Sequence, residues 1–306
     1  MIAKRAESYS YARRIVPFRA ARNAFGAILQ ALEIGDGEVL LPAYIGWSAR
    51  EGSGVFDPIT ALRLRHRFYA LDERLHIDLD SLATALDTGS VRVLVLIHYF
   101  GYIDPAYAEA VALARQRGAF VIEDEAHAML SDVVGGVCGR LGDACVYSFH
   151  KMLPVEEGGA AVVNDPQSAL ARTLQAAEGC RVPQDFDLSR IAAKRRANAS
   201  LLDRLAGELS PEVTPLRGAP ITGEVPQSYP VLIRNGSRDR IYREMNAAGF
   251  GVVSLYHTLI SEISPQAFPA AAGVASRILN LPVHQDASPE DLEAMVWDLA
   301  ARVRKT

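Results

Sequence analysis

VRVLVLIHYFGYIDPAYAEAVALARQRGAFVIEDEAHA, residues 91–128, decides the fold. VRVLVLIH at 91–98 is a β-branched apolar run of strand length. Residues 105–117 follow with helical spacing, and AFVIED at 119–124 is a second buried strand. Two fully apolar strands joined by a helix make a parallel crossover unit, which needs helices on both faces of the sheet. The same alternation extends outward. Upstream lie a helix over 21–33, a strand VLLP at 39–42, a strand TALRLRH at 60–66 and a helix over 79–86. Downstream, ACVYSF at 144–149 and GAAVVN at 159–164 are further strands.

After about Asn164 the texture changes. Helical stretches run through 166–178 and 188–208, and a Pro/Gly-rich passage spans Ser210 to Pro226. A strand YPVLIR at 229–234, a helix at 237–247 and a last helix at 288–303 follow. The last helix opens S-P-E-D, with Ser288 as cap and Pro289 at the first helical position. The expectation is an α/β protein: a large, mostly parallel sheet covered by helices, with a smaller C-terminal α+β domain. The division falls between about 165 and 190, giving a large domain over 1–180 and a small one over 181–306.

The 306 residues carry a formal net charge of -4. That weak acidity argues against a nucleic-acid binder, which needs a basic face. The densest basic run, Lys194-Arg195-Arg196, sits inside a helical pattern and reads as a solvated face. Three cysteines, Cys138, Cys145 and Cys180, lack C-x-x-C spacing, so neither a disulfide framework nor a metal site is expected. No apolar run reaches about 18 residues and no secretory leader is visible, so the expected location is the cytoplasm, away from membranes.

In an open parallel sheet chemistry gathers at the carboxyl ends of strands, which here means His98, Asp124 and the segment after Phe149. VIEDEAHA at 121–128 places acids at the end of a buried strand, a costly position unless the charge is offset. Asp124 is either a solvated loop carboxylate or the partner of a cationic cofactor atom. YSFHKMLPVEEGGAAVV at 147–163 puts Lys151 just past another strand end. Most lysines there are surface residues, but a desolvated one has a lowered pKa and an amine free for imine chemistry.

These segments and others recur in a fixed order: ALEIGDGEVLLPAY at 31–44, HIDLDSL at 76–82, IHYFGYIDP at 97–105, VIEDEAHA, the run from Gly139 to Asp143, SFHK with GGAAVV, and NLPVHQDASPEDLEAM at 280–295. The series resembles the DegT-type (sugar) aminotransferases, which use pyridoxal 5′-phosphate on the aspartate-aminotransferase-like fold. The likeness covers residues 19–165 and 228–303.

The resemblance implies an aminotransferase that moves nitrogen from an amino acid donor to a keto acceptor, with a nucleotide-linked keto-sugar among the candidates, in a homodimer. It implies that Lys151 is the Schiff-base lysine and proton-shift base. Asp124 matches the pyridinium partner, and His127 the residue beside the cofactor's phenolic oxygen. Ser148 matches a phosphate-binding hydroxyl, and Arg22 and Asn23 fall at the phosphate-binding turn. Trp47, or else Tyr44, would stack on the ring, because the family's aromatic position is Gly46 here. His98, Tyr256, His257 and His284 are candidates for contact with the cofactor or substrate.

The chain departs from the family pattern in three places. Its Ser-to-Lys spacing is two residues shorter, the N-terminal extension is short, and the "N-Y-R-M-x-E-x-Q-A" segment is not visible between 165 and 227. Two other functions stay open at this point. One is a lyase or dehydratase on the same fold, although that branch replaces the lysine with His. The other is a non-catalytic regulatory relative.

Overall fold

The computed structural model describes residues 13–207, 209 and 211–304. Its main sheet has seven strands: β1 (Ile15–Phe18), β2 (Glu38–Pro42), β3 (Arg65–Tyr69), β4 (Val91–Ile97), β5 (Phe120–Glu125), β6 (Ala144–Ser148) and β7 (Gly159–Val163). Their order across the sheet is β1-β7-β6-β5-β4-β2-β3. The five strands from β3 to β6 run parallel, while β7 and β1 close the other edge antiparallel. Two apolar clusters cover the two faces, as a parallel sheet requires. Register aligns Ile97 with Asp124, and Ser148 with Gly159. The chemistry-bearing segments therefore leave the sheet at one edge.

A second, antiparallel sheet contains β8 (Val213–Pro215), β9 (Ser228–Ile233) and β10 (Ile278–Pro282), in the order β10-β9-β8. A third apolar cluster joins it to the helices Leu188–Ala206, Arg238–Ala247 and Pro289–Arg304. The last helix opens on a reciprocal capping box: Asp291 N–H donates to Ser288 Oγ at 3.1 Å, and Ser288 N–H donates to Asp291 Oδ2 at 3.1 Å. Helix Leu188–Ala206 serves both sheets. Leu188 and Ala192 pack with Tyr147 and Met152 beside the main sheet, while Ala199 and Leu202 pack beneath the second.

Local differences from the sequence expectation have local causes. The segment 60–66 splits, with Thr60 and Ala61 ending a helix Phe56–Ala61 and β3 starting only at Arg65. Between them Arg63 adopts the left-handed conformation, at φ 53°, and makes the turn. The helix expected over 166–178 shrinks to Ala169–Thr173, capped by Ser168, and Ala177 instead donates its N–H to Pro17 O at 3.0 Å. Arg195 does not lie on a solvated face: it points inward and is 4% exposed.

The first helix, α1 (Ala21–Leu32), lies against the start of β7. A Cβ on Gly159 would stand 2.3 Å from Ala21 N, so only glycine permits this approach. Gly159→Ala is expected to cost about 1–3 kcal/mol by overpacking. Urea unfolding checks this, and an unchanged midpoint would show that the contact is slack.

Candidate active site

A cavity of about 510 Å³ opens at the carboxyl ends of β5 and β6, between the N-terminus of α1, the segment after β2 and the loop around Tyr256. Lys151 enters it from a single 3-10 turn, Phe149–Lys151, which the fully buried Phe149 ring anchors. Gly158, at φ 130°, lets the chain return over that ring. Asp124 enters from the end of β5. Its Oδ1 accepts from Ala126 N–H at 2.8 Å, and its other oxygen has no hydrogen-bond partner among the described residues.

The electrostatics of the pair oppose one another usefully. Burial pushes the Lys151 amine below the ordinary lysine range, and the Asp124 carboxylate partly restores it. Burial likewise raises Asp124, against the pull of Lys151. Lys151 Nζ lies 3.1 Å from His127 Nε2. His127 Nδ1 accepts the Phe100 N–H at 3.3 Å, so a neutral imidazole carries its proton on Nε2 and donates it towards a neutral amine. Burial and the Lys151 charge both hold His127 well below its usual pKa, in keeping with that tautomer. Phe100 aims its N–H from a left-handed backbone, at φ 60°, in the turn after β4.

The opposite end of the cavity suits an anion. Ala20, Ala21 and Arg22 line it where α1 begins, and no side chain caps that helix. Unpaired N–H groups and the helix dipole favour a phosphate there. Ser148 borders the same space, its Oγ 3.3 Å from His150 Nδ1. Arg22 borders it too, with Nη1 donating to Asp57 Oδ2 at 3.1 Å. Asn23, in the same first turn of α1, is exposed and lies outside the cavity lining.

The aromatic residues are arranged differently from the expectation. Trp47 stands at the mouth, 48% exposed. Tyr44 is fully buried, its hydroxyl accepting the Tyr256 N–H at 2.7 Å. The Tyr256 ring stacks on His127, with centroids 6.2 Å apart and planes 24° apart. A Cβ at Gly46 would lie 2.0 Å from that ring. Gly46 therefore makes room for an aromatic side chain supplied from elsewhere in the chain.

His98 is outside the cavity. It is buried behind β5, where its Nε2 meets Glu123 Oε2 at 3.0 Å and its ring meets Tyr107 edge-on. Glu123 also takes the N–H groups of Gly139 and Gly142, so this Glu–His pair holds the loop after β5. In the same buried region His98, Glu125 and Cys138 bring ligand-type atoms within 4.8 Å of one another, which the cysteine spacing did not signal. His257 lines the main cavity, its Nδ1 3.0 Å from Ser254 O. His284 lines a second cavity of about 290 Å³, which Lys151 also borders. Sequence reasoning missed that second cavity, with Arg195 and Gln227 on its wall, and the Phe100 peptide that fixes His127. The left-handed Phe100 has no sequence signal, because it is not a glycine.

A family model described as the DegT/DnrJ/EryC1/StrS aminotransferase family matches residues 3–187. The chain is 31% identical over 179 residues, 57% of its length and 44% of the relative's, to dTDP-4-dehydro-2,3,6-trideoxy-D-glucose 4-aminotransferase of Saccharopolyspora spinosa. It is 29% identical over 161 residues to the spore coat polysaccharide biosynthesis protein SpsC of Bacillus subtilis, covering 52% of this chain and 40% of that one. The chain thus spans less than half the length of these relatives. Among solved structures it matches the aminotransferase TlmJ of Streptoalloteichus hindustanus at a TM-score of 0.74 and 23% identity, over 95% of this chain and 86% of that one. It matches PseC of Helicobacter pylori at 0.77 and 17% identity, over 96% and 88%. At those identities the structures show a shared fold.

The Lys151–Asp124 coupling can be measured directly. Competitive acylation across a pH series should modify Lys151 with a midpoint below the ordinary lysine range. Asp124→Asn removes the charge that favours the ammonium, so the Lys151 midpoint should fall further. A midpoint that rises in the variant contradicts the geometry.

Proposed function

The chain belongs to the DegT/DnrJ/EryC1/StrS aminotransferase family, and from that premise we propose that it is a pyridoxal 5′-phosphate-dependent aminotransferase acting on a keto-sugar. One observation carries the reading. A half-buried lysine and a half-buried carboxylate with a free oxygen face one cavity, whose far end is an uncapped helix N-terminus beside Ser148. That donor set fits a phosphorylated pyridine aldehyde: Lys151 for the aldehyde carbon, Asp124 for the ring nitrogen, and the start of α1 with Ser148 and Arg22 for the phosphate. When bound, this cofactor supplies an electron sink for a carbanion next to nitrogen.

The remaining work belongs to the chain's own side chains. Lys151, its pKa lowered by burial, can accept a proton and return it, which suits a base that serves both halves of a transfer. His127 fixes the position of Nζ through its Nε2 proton. Tyr44, fully buried, and Tyr256, half-buried, wall the site. The names of the relatives support a sugar-linked acceptor, since one is called a dTDP-sugar 4-aminotransferase. Retention of Lys151 favours transfer over the dehydratase reading, in which that lysine is replaced. A homodimer is part of the same proposal, because a second copy could cover the exposed Trp47 indole at the mouth. Sedimentation that finds only monomer counts against it. No helix among the described residues is long and apolar enough to cross a membrane.

Mixed with pyridoxal 5′-phosphate and L-glutamate, the protein is expected to release 2-oxoglutarate. Lys151→Ala should lower that rate by at least about 10²-fold. Cofactor binding without 2-oxo acid release from any of a panel of amino acids would favour the lyase or the non-catalytic reading.

A further inference from the structure

The second cavity, about 290 Å³, lies between the segment Lys151–Pro154 and the segments around Gln227 and His284. Arg195, on helix Leu188–Ala206, sits in its wall, buried. Its Nε donates to Gln285 Oε1 at 3.1 Å, Nη1 to Gln227 O at 3.2 Å and Nη2 to Met152 O at 3.2 Å. All three acceptors are neutral. Among the described residues no carboxylate oxygen comes within 4 Å of the guanidinium. Asp286, the one acid whose charge it feels, is on the rim and mostly exposed. Burial pushes Arg195 down to about 10, so at neutral pH it remains a cation without a paired anion.

A guanidinium has five N–H groups. The three bonds leave one on each terminal nitrogen, the fork that matches a carboxylate. A second group on the same wall is also unanswered. Gln227 Oε1 is buried and has no donor among the described residues. A cation lacking an anion beside an acceptor lacking a donor is complementary to a zwitterion. Lys151 borders this cavity and the main one alike.

We propose that this cavity is the subsite for the amino donor, an α-amino acid whose carboxylate rests on the Arg195 fork and whose ammonium is received by Gln227 Oε1. The inference rests on the aminotransferase reading and adds to it the position of the donor and the residues that select it. A purely structural Arg195 would tie Met152 to Gln227 without preferring any ligand.

The test uses the pyridoxal phosphate-loaded protein and the variants Arg195→Gln and Gln227→Leu. Reaction with L-glutamate is compared with reaction with n-propylamine, an amine without a carboxylate. The half-saturating glutamate concentration should rise at least about tenfold in both variants. In Arg195→Gln the glutamate-to-propylamine rate ratio should fall with it, whereas Gln227→Leu, which loses the ammonium acceptor, should weaken both amines. Equal losses on both amines in Arg195→Gln, or no loss in either variant, overturn the subsite. Glutarate, which offers carboxylates and no amine, serves as an inert probe by calorimetry. It should bind the wild-type protein and bind Arg195→Gln at least tenfold more weakly. If Arg195→Gln does not fold, Gln227→Leu carries the test, because it removes the acceptor and leaves the guanidinium bonds in place. Glutarate binding that depends on Arg195 in a protein that never reacts with amines would sink the aminotransferase reading and not the anion site. Amine transfer with glutarate bound equally by wild type and Arg195→Gln would do the reverse.

Discussion

Two ionisable groups, Lys151 and Asp124, are held half-buried at the ends of neighbouring parallel strands, and the surrounding architecture follows from that constraint. Each charge alone would be costly to bury. Placed at one sheet edge they offset one another while burial still shifts both towards neutrality. His127 then acts as a fixed third member. Its tautomer depends on one backbone N–H, that of Phe100, and the carbonyl of the same residue accepts from Gln227 N–H at 2.7 Å. A change near the second sheet can therefore reach the lysine through three hydrogen bonds and one imidazole.

The two cavities share this framework. Met152, next to Lys151, is bonded to Arg195, and Gln227 joins the wall of one cavity to the turn that orients His127 in the other. The helix Leu188–Ala206 packs into both sheets, so Arg195 sits where the two halves meet. Tyr256 adds a second tie: it crosses from the C-terminal part to lie over Gly46 and against His127.

Much of this was legible in the chain order. Buried strands 91–98 and 119–124 with a helix between them required a parallel sheet, and a parallel sheet put Asp124 and Lys151 on one edge. Periodicity could not say which way Arg195 faced. In a K-R-R run on a helix the average residue is solvated, and only the position of the second sheet decides that the middle one is not. Nor could local sequence show that Gly46 packs against the Tyr256 ring, because that ring comes from more than two hundred residues away. His98, open in the sequence between a site contact and a satisfied strand-end histidine, takes the second role, because Glu123 claims it behind the sheet.

The account stands or falls on Lys151. Borohydride reduction of the protein incubated with pyridoxal 5′-phosphate, followed by peptide mapping, should place the pyridoxyl group on Lys151 at one equivalent per chain. A label distributed among Lys151, Lys194 and the terminal amine, or absent from Lys151, would contradict it.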